Sequence, residues 1–342
     1  GGFLMNKRER ILAEKEGRKP SKLYDSDYLL GVYDETRMGG IRFKTNPDGP
    51  FLSDDKKTAA PPWATLRILE EASRNFESDE SGLNEKWLNQ LIKPGSSLGG
   101  ARPKATVVDT KDQLWIAKFP SRNDENDTGA WEMVAHDLAG LCGLNVLEAK
   151  LEKFSNLGST YLIKRFDRIF KKRVHFASAM TLLGKTDGAS AADGTSYLDM
   201  AAFIKSYGAQ PKQDLHELWK RIVFNMAVTN TDDHLRNHAF ILTKQGWILS
   251  PLYDVNSVPY GDELSLNVDE EDNSISIELA ISTAVRFGIS ETDAKDHAKG
   301  ILETVRENWE KTASGYGLNR RQIEEMRPAF SACYERRKYN IR

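Results

Sequence analysis

A chain of 342 residues, 39% hydrophobic and 29% charged, carries enough apolar material for two packed lobes or domains and shows no sign of wholesale disorder. A formal net charge of −2 supplies no global field for polyanions, which argues against direct DNA binding. No apolar run approaches the roughly 20 residues that cross a bilayer, and Cys142 and Cys333 form neither a disulfide framework nor a metal spacing, so a cytoplasmic protein without membrane contact is expected.

The opening Gly1-Gly2-Phe3-Leu4-Met5 lacks an initiator methionine and leaves a tag scar, a truncation and an upstream start as open readings. Residues 6–22, dense in Lys, Arg and Glu, predict a polar helix or arm. Tyr28–Tyr33 and Gly40–Phe43 predict two short strands around a turn at Asp34–Gly39. A Pro- and Asp-rich linker spans 46–62, and Thr65 is expected to cap a helix bearing Leu66, Ile68, Leu69 and Ala72. A glycine-rich loop follows at Gly95–Lys104, then a hairpin over 105–119. Thr128 opens a helix with Trp131, Val134, Ala135, Leu138 and Leu141 on one face, and strands are expected at 147–154 and 159–166. From about residue 197 the chain turns helical, at 197–207 and 215–228. Strands at 238–243 and 247–249 interrupt this, before amphipathic stretches that include 276–287 and 323–337. The basic run Lys171-Lys172-Arg173 reads as a solvated turn. A β-rich first half joined near 165–168 to a helix-rich second half predicts an α+β chain with a cleft between two lobes.

The stretch Asn230-Thr231-Asp232-Asp233-His234-Leu235-Arg236-Asn237 lies between a helix and a strand. Phosphoryl transfer needs a carboxylate that orients the attacking hydroxyl and takes its proton, and oxygen ligands for the Mg²⁺ that bridges the phosphates. Protein kinases meet these needs with an Asp and an Asn five residues later, the spacing of Asp232 and Asn237. Read alone, the loop serves equally as a polar cap. The hairpin that follows delivers Pro251-Leu252-Tyr253-Asp254, a second carboxylate where a kinase places its metal-binding Asp. The glycine-rich loop precedes Lys118, a lysine in the apolar strand Trp115–Phe119 suited to the α- and β-phosphates, with Glu132 as its expected partner. Ala101-Arg102 after Gly100 excludes a Walker A loop.

Ser97–Ala105, Arg165-Phe166-Asp167-Arg168, the run from Thr231-Asp232 to Asn237, and Ser250–Asp254 resemble, in order, the motifs of HipA-type serine/threonine kinases, over about residues 26–335. The resemblance implies a two-lobed protein-kinase-like fold, with a smaller β-rich amino-terminal lobe and a larger, mostly helical carboxy-terminal lobe. It implies ATP and Mg²⁺ as cofactors. Asp232 becomes the catalytic base, Asn237 and Asp254 the metal ligands, and Lys118 the phosphate-binding lysine. The nucleotide site takes in Ser97, Leu98, Gly99, Gly100, Ala101, Lys104, His234 and the backbone of Lys164 to Phe166. Ser97, with Ser96 as its substitute, becomes the site of inhibitory autophosphorylation. The acceptor would be a protein serine or threonine, in a translation factor or an aminoacyl-tRNA synthetase. The partner would be a HipB-like DNA-binding antitoxin, through which alone the kinase meets DNA. On this reading residues 1–62 are an arm and the end of the family's β-rich amino-terminal subdomain, 63–166 the ATP-binding lobe, and 167–342 the catalytic lobe.

His234 reads more readily as a loop stabiliser than as a proton carrier, and Asp167 with Arg168 as a buried ion pair. The remaining histidines lack a zinc spacing, and no G-x-S-x-G elbow supports a hydrolase. Two alternatives stay in view: a small-molecule phosphotransferase with the same Asp–Asn spacing, and an ATP-binding pseudokinase scaffold.

Overall fold

The computed structural model describes residues 2–54, 59–78, 102–169 and 171–334. The chain divides into two compact units, Gly1–Gly129 with Glu148–Val174, and Ala130–Leu147 with His175–Arg342. The sequence reading places divisions at 62 and 166. The units keep 1–62 with the strands that follow, and give most of the helix Thr128–Leu141 to the second unit.

In the first unit, β1 (Lys104–Val108), β2 (Leu114–Lys118), β3 (Ala149–Glu152) and β4 (Thr160–Lys164) form an antiparallel sheet in the order β1-β2-β4-β3. Alternation along the strands assigns its two faces. Ala105, Val107, Trp115, Ala117, Phe119 and Leu162 join Leu66 and Leu69 of α3 (Leu66–Ser78) in one buried core. Trp63 meets Trp115 edge-on, ring centroids 5.3 Å apart. The register sets Lys104 opposite Lys118 and Lys118 opposite Tyr161 on the other face. Thr65 does not cap α3 with its side chain; its hydroxyl donates back to the Pro62 carbonyl at 2.7 Å.

The amino-terminal segment departs from the predicted strands. It carries α1 (Gly2–Lys15), α2 (Asp25–Leu30) and a 3-10 turn at Asp34–Thr36, with an isolated bridge between Phe43 and Leu52. Asp25 and Asp27 favour the first turn of α2, where the Asp27 carboxylate accepts from the Tyr24 N–H at 2.8 Å. Guanidinium groups take many carbonyls of this segment. Arg37 donates to the carbonyls of Leu29, Val32 and Leu52, Arg165 to that of Thr36, Arg168 to those of Glu35 and Arg37, and Arg173 to those of Asp34, Arg37 and Gly39. Arg173 sits on β6 (Lys172–Arg173), paired with β5 (Arg168–Ile169), so of the basic run only Lys171 and Lys172 are exposed.

The second unit is mostly helical. It holds most of α4 (Thr128–Leu141), then α5 (Ala179–Leu182), α6 (Tyr197–Tyr207), α7 (Pro211–Ala227), α8 (Ile277–Thr283), α9 (Glu291–Gly315) and α10 (Arg320–Met326). Ser196, Ser276, Ser290 and Asn319 cap their helices with side-chain oxygens. Three strands, β7 (Phe176–Ser178), β8 (Ala239–Leu242) and β9 (Trp247–Leu249), pair in that order. Trp219, Trp309 and Phe330 are fully buried; Trp309 stacks on Phe330 at 4.3 Å, and the Trp219 indole N–H donates to the Ala280 carbonyl at 2.7 Å. Both cysteines are free. Cys142 donates to the Ile301 carbonyl and Cys333 to that of Ala227, and burial pushes each thiol up to about 12. No helix among the described residues is long and apolar enough to cross a membrane.

Candidate active site

Helix α7 ends at Ala227, and two residues on, Thr229 takes a left-handed φ of +49°. A β-branched residue pays for that conformation, on the order of 1–3 kcal/mol. It is held there by its hydroxyl donating to the Ala329 carbonyl at 2.7 Å. The loop 230–237 then closes on itself. The His234 N–H and the Asn237 side-chain amide both donate to the Asp232 carbonyl, at 3.0 and 2.9 Å, and the Asn237 N–H donates to the His234 carbonyl at 2.8 Å. The Asp232 carbonyl is thereby fixed while the residue stays exposed. With its amide nitrogen so engaged, Asn237 presents its oxygen.

The loop stands on Asp233, which is 1% exposed. Its Oδ2 accepts from the Tyr197 hydroxyl at 2.6 Å, the Asn225 amide at 2.7 Å and His238 Nε2 at 2.8 Å. Burial alone would raise this carboxyl. The His238 imidazole and the converging donors outweigh it and hold the group below the usual carboxylate range. Burial and the adjoining Asp233 keep the Tyr197 phenol protonated as a donor.

Strands β8 and β9 lead to the second carboxylate. Arg221, fully buried on α7, donates to the Ser250 carbonyl at 2.7 Å, and the chain then presents Asp254 at a φ of +60°. Among the described residues three other than glycine take a positive φ, and two of them, Thr229 and Asp254, flank this loop. Asp254 is fastened on both sides. The Tyr253 hydroxyl donates to the Arg236 carbonyl at 2.9 Å, and the Asn256 N–H to Asn230 Oδ1 at 3.3 Å.

Asp232, Asn237 and Asp254 thus stand on two hydrogen-bonded loops of the second unit. The described residues hold no group of three His, Cys, Asp or Glu side chains suited to a metal. The Asp254 carboxylate and the Asn237 amide oxygen are hard ligands, and they fit an ion that keeps water and phosphate in the rest of its shell, the habit of Mg²⁺.

In the first unit, Lys104 and Lys118 face each other across β1 and β2, with the Lys118 ammonium 5.7 Å from the centre of the Tyr161 ring. Lys118 and Glu132 are both buried. In the expected hinge, the Lys164 N–H donates to the Glu148 carbonyl and the Arg165 N–H to that of Leu114, both at 2.9 Å. Those two donors serve the sheet, so a base would meet this segment through its other groups. His234 Nε2 accepts from Arg236 at 3.2 Å, and Arg236 pairs with Asp187, as a loop stabiliser would. Asp167 and Arg168 form the expected buried pair at 2.6 Å. Ser96, Ser97, Leu98, Gly99, Gly100 and Ala101 lie outside the described residues.

Sequence reasoning missed the supports Tyr197, Asn225, Arg221 and His238, and treated Asp233 only as part of a polar loop. The available signal was Asn225, a lone amide inside the apolar run Ile222–Ala227.

The HipA-like C-terminal domain family matches residues 96–309, more than half of the chain. Two Sinorhizobium fredii proteins named as kinases are similar to it. Y4mE is 28% identical over 86% of this chain and 69% of its own length, and Y4dM 26% identical over 88% and 73%. The HipA of Shewanella oneidensis, solved with HipB and its operator DNA, superimposes with a TM-score of 0.66 at 18% identity, covering 96% of this chain and 82% of that one. The fold is therefore α+β and kinase-like, with its β-rich part before its helical part. The chain belongs to the HipA-like C-terminal domain family and is of the kinase type.

Proposed function

We propose that the protein is a serine/threonine protein kinase that moves the γ-phosphoryl group of ATP to a protein hydroxyl. The observation that carries this reading is the joint fixing of Asp232, Asn237 and Asp254 on two loops fastened to each other. The exposed Asp232 carboxylate orients the acceptor hydroxyl and takes its proton as the oxygen attacks phosphorus. Asn237 and Asp254 would hold Mg²⁺, which when bound neutralises charge on the phosphates. Lys118, with Lys104 opposite, binds the α- and β-phosphates, and the segment Lys164–Phe166 receives the base. In this division of labour residues 1–62 form an arm, 63–166 bind ATP and 167–342 catalyse. Ser97, or Ser96 beside it, is the site of self-inhibition, because a phosphate there adds about −1.5 to −2 of charge to the phosphate-binding loop.

Family membership supports a toxin role, with a component of translation as acceptor. The Shewanella relative, solved with HipB and operator DNA, supports a HipB-like antitoxin as partner, through which this kinase would meet DNA. Two free cysteines, Cys333 buried and Cys142 half-buried, fit a reducing cytoplasm.

The test is incubation with Mg-ATP, followed by intact mass and peptide mapping, beside Asp232→Gln. Phosphate on Ser97 or Ser96 is expected, with transfer reduced about 10²- to 10⁴-fold in the variant. ATP binding without phosphate on either protein would overturn the reading.

A further inference from the structure

We propose that Asn225, Asn230 and Asn256 are positioning residues that hold Asp254 in register with the loop carrying Asp232 and Asn237. The inference rests on the metal-binding role given above to Asn237 and Asp254. The three asparagines are joined in one hydrogen-bonded chain, Asn256 entering it through its backbone N–H. The Asn256 N–H donates to Asn230 Oδ1 at 3.3 Å, the Asn230 amide to Asn225 Oδ1 at 3.0 Å, and the Asn225 amide to Asp233 Oδ2 at 2.7 Å. At the other end the Asn256 side chain reaches Asp254 Oδ1 at 3.5 Å.

The chain therefore begins and ends on a carboxylate. Asn225 and Asn230 each donate and accept within the chain from one rigid side-chain plane, while Asn256 donates twice, from its backbone N–H and from its side chain. The polarity also assigns each amide its orientation, since the reverse would set oxygen against the Asp233 oxygen. Asn225 and Asn230 are fully buried, so neither has water as a substitute partner. Asp254 occupies a left-handed conformation between two fastened neighbours, and the amide chain is one of the two fasteners. Residues that orient a metal ligand from behind typically change metal affinity 10- to 100-fold when removed.

The experiment is Mn²⁺ titration by electron paramagnetic resonance in the presence of a non-hydrolysable ATP analogue. Wild type, Asn230→Ala and Asn256→Ala are compared, with metal-free analogue binding and thermal melting alongside. Asn230→Ala should weaken Mn²⁺ binding about 10- to 100-fold and Asn256→Ala by about tenfold or less. Metal-free analogue binding should stay within about twofold, a split that general loosening of the fold would not produce. If Asn230→Ala does not fold, the half-buried Asn256 carries the test. Unchanged Mn²⁺ affinity in the folded variants, with wild type binding the ion, overturns this inference alone. No Mn²⁺ binding by wild type overturns the metal role of Asn237 and Asp254, and this inference with it.

Discussion

Asp167 in the first unit and Asp233 in the second are each 1% exposed, and each accepts at least three hydrogen bonds, yet they are held by opposite means. Asp167 is held by charge. Arg165 donates from Nε and Nη2 at 2.9 and 2.7 Å, Arg168 at 2.6 Å, and the Gly39 N–H at 2.7 Å. Burial would raise its carboxyl, and the Arg165 and Arg168 guanidinium groups bring it below the ordinary range. The same crowding of cations, after burial itself, pulls Arg168 down to about 10. Asp233 is held by a phenol, an amide and an imidazole. A charged clamp withstands large forces and is costly to break, because any loss strands a buried charge. A clamp of mostly neutral donors gives up less stability per bond and aims its neighbours more finely. The first secures a chain segment; the second sits beneath the residues proposed to do chemistry.

Arg165→Leu should show the largest difference, a loss of about 3–5 kcal/mol in chemical denaturation, since Asp167 keeps its burial and loses two donors. Tyr197→Phe should cost less, about 1.5–3 kcal/mol, because the Asn225 amide and His238 remain on Asp233. Equal losses in the two variants would erase the distinction between the clamps. The smallest effect lies in acid. Both aspartates titrate below their ordinary value of 3.8 when folded, so unfolding takes up protons. The stability they contribute is complete above that value and is lost as pH falls through the folded one. In Asp233→Asn the decline in stability below about pH 4 should be shallower, by at most about 1.4 kcal/mol per pH unit. A slope equal to that of wild type would show that Asp233 titrates as an ordinary carboxyl.

The contrast also separates what could be read in the sequence from what could not. The hairpin β1–β2 and the helices α6 and α7 follow from local periodicity and stand where it indicated, α7 beginning four residues early at Pro211. Helix α9, the longest described, lay unmarked among amphipathic stretches, because its small buried residues Ala294 and Ala298 give a weak stripe. The strands expected at 28–33 and 40–43 are absent: Asp25–Leu30 is helical, Arg37 holds the Leu29 and Val32 carbonyls, and arginines more than 120 residues away hold the turn at 34–37. The linkage of the asparagines under the loop was hidden too. Asn225 stands out as a lone amide in an apolar run, but its chain of partners forms only once Asn256, which follows a hairpin, is folded back beside Asn230. Local pattern announces a reactive residue; the partners that aim it are chosen by tertiary structure.

The two cysteines have a practical consequence for spectroscopy. Burial pushes both thiols up, and Cys333 is itself buried, so alkylating dyes meet little native thiolate. Tyr260, six residues past Asp254 and 81% exposed, then becomes a privileged labelling point. A Tyr260→Cys substitution would carry a single fluorophore on the segment that follows the proposed metal ligand, with both natural cysteines left in place.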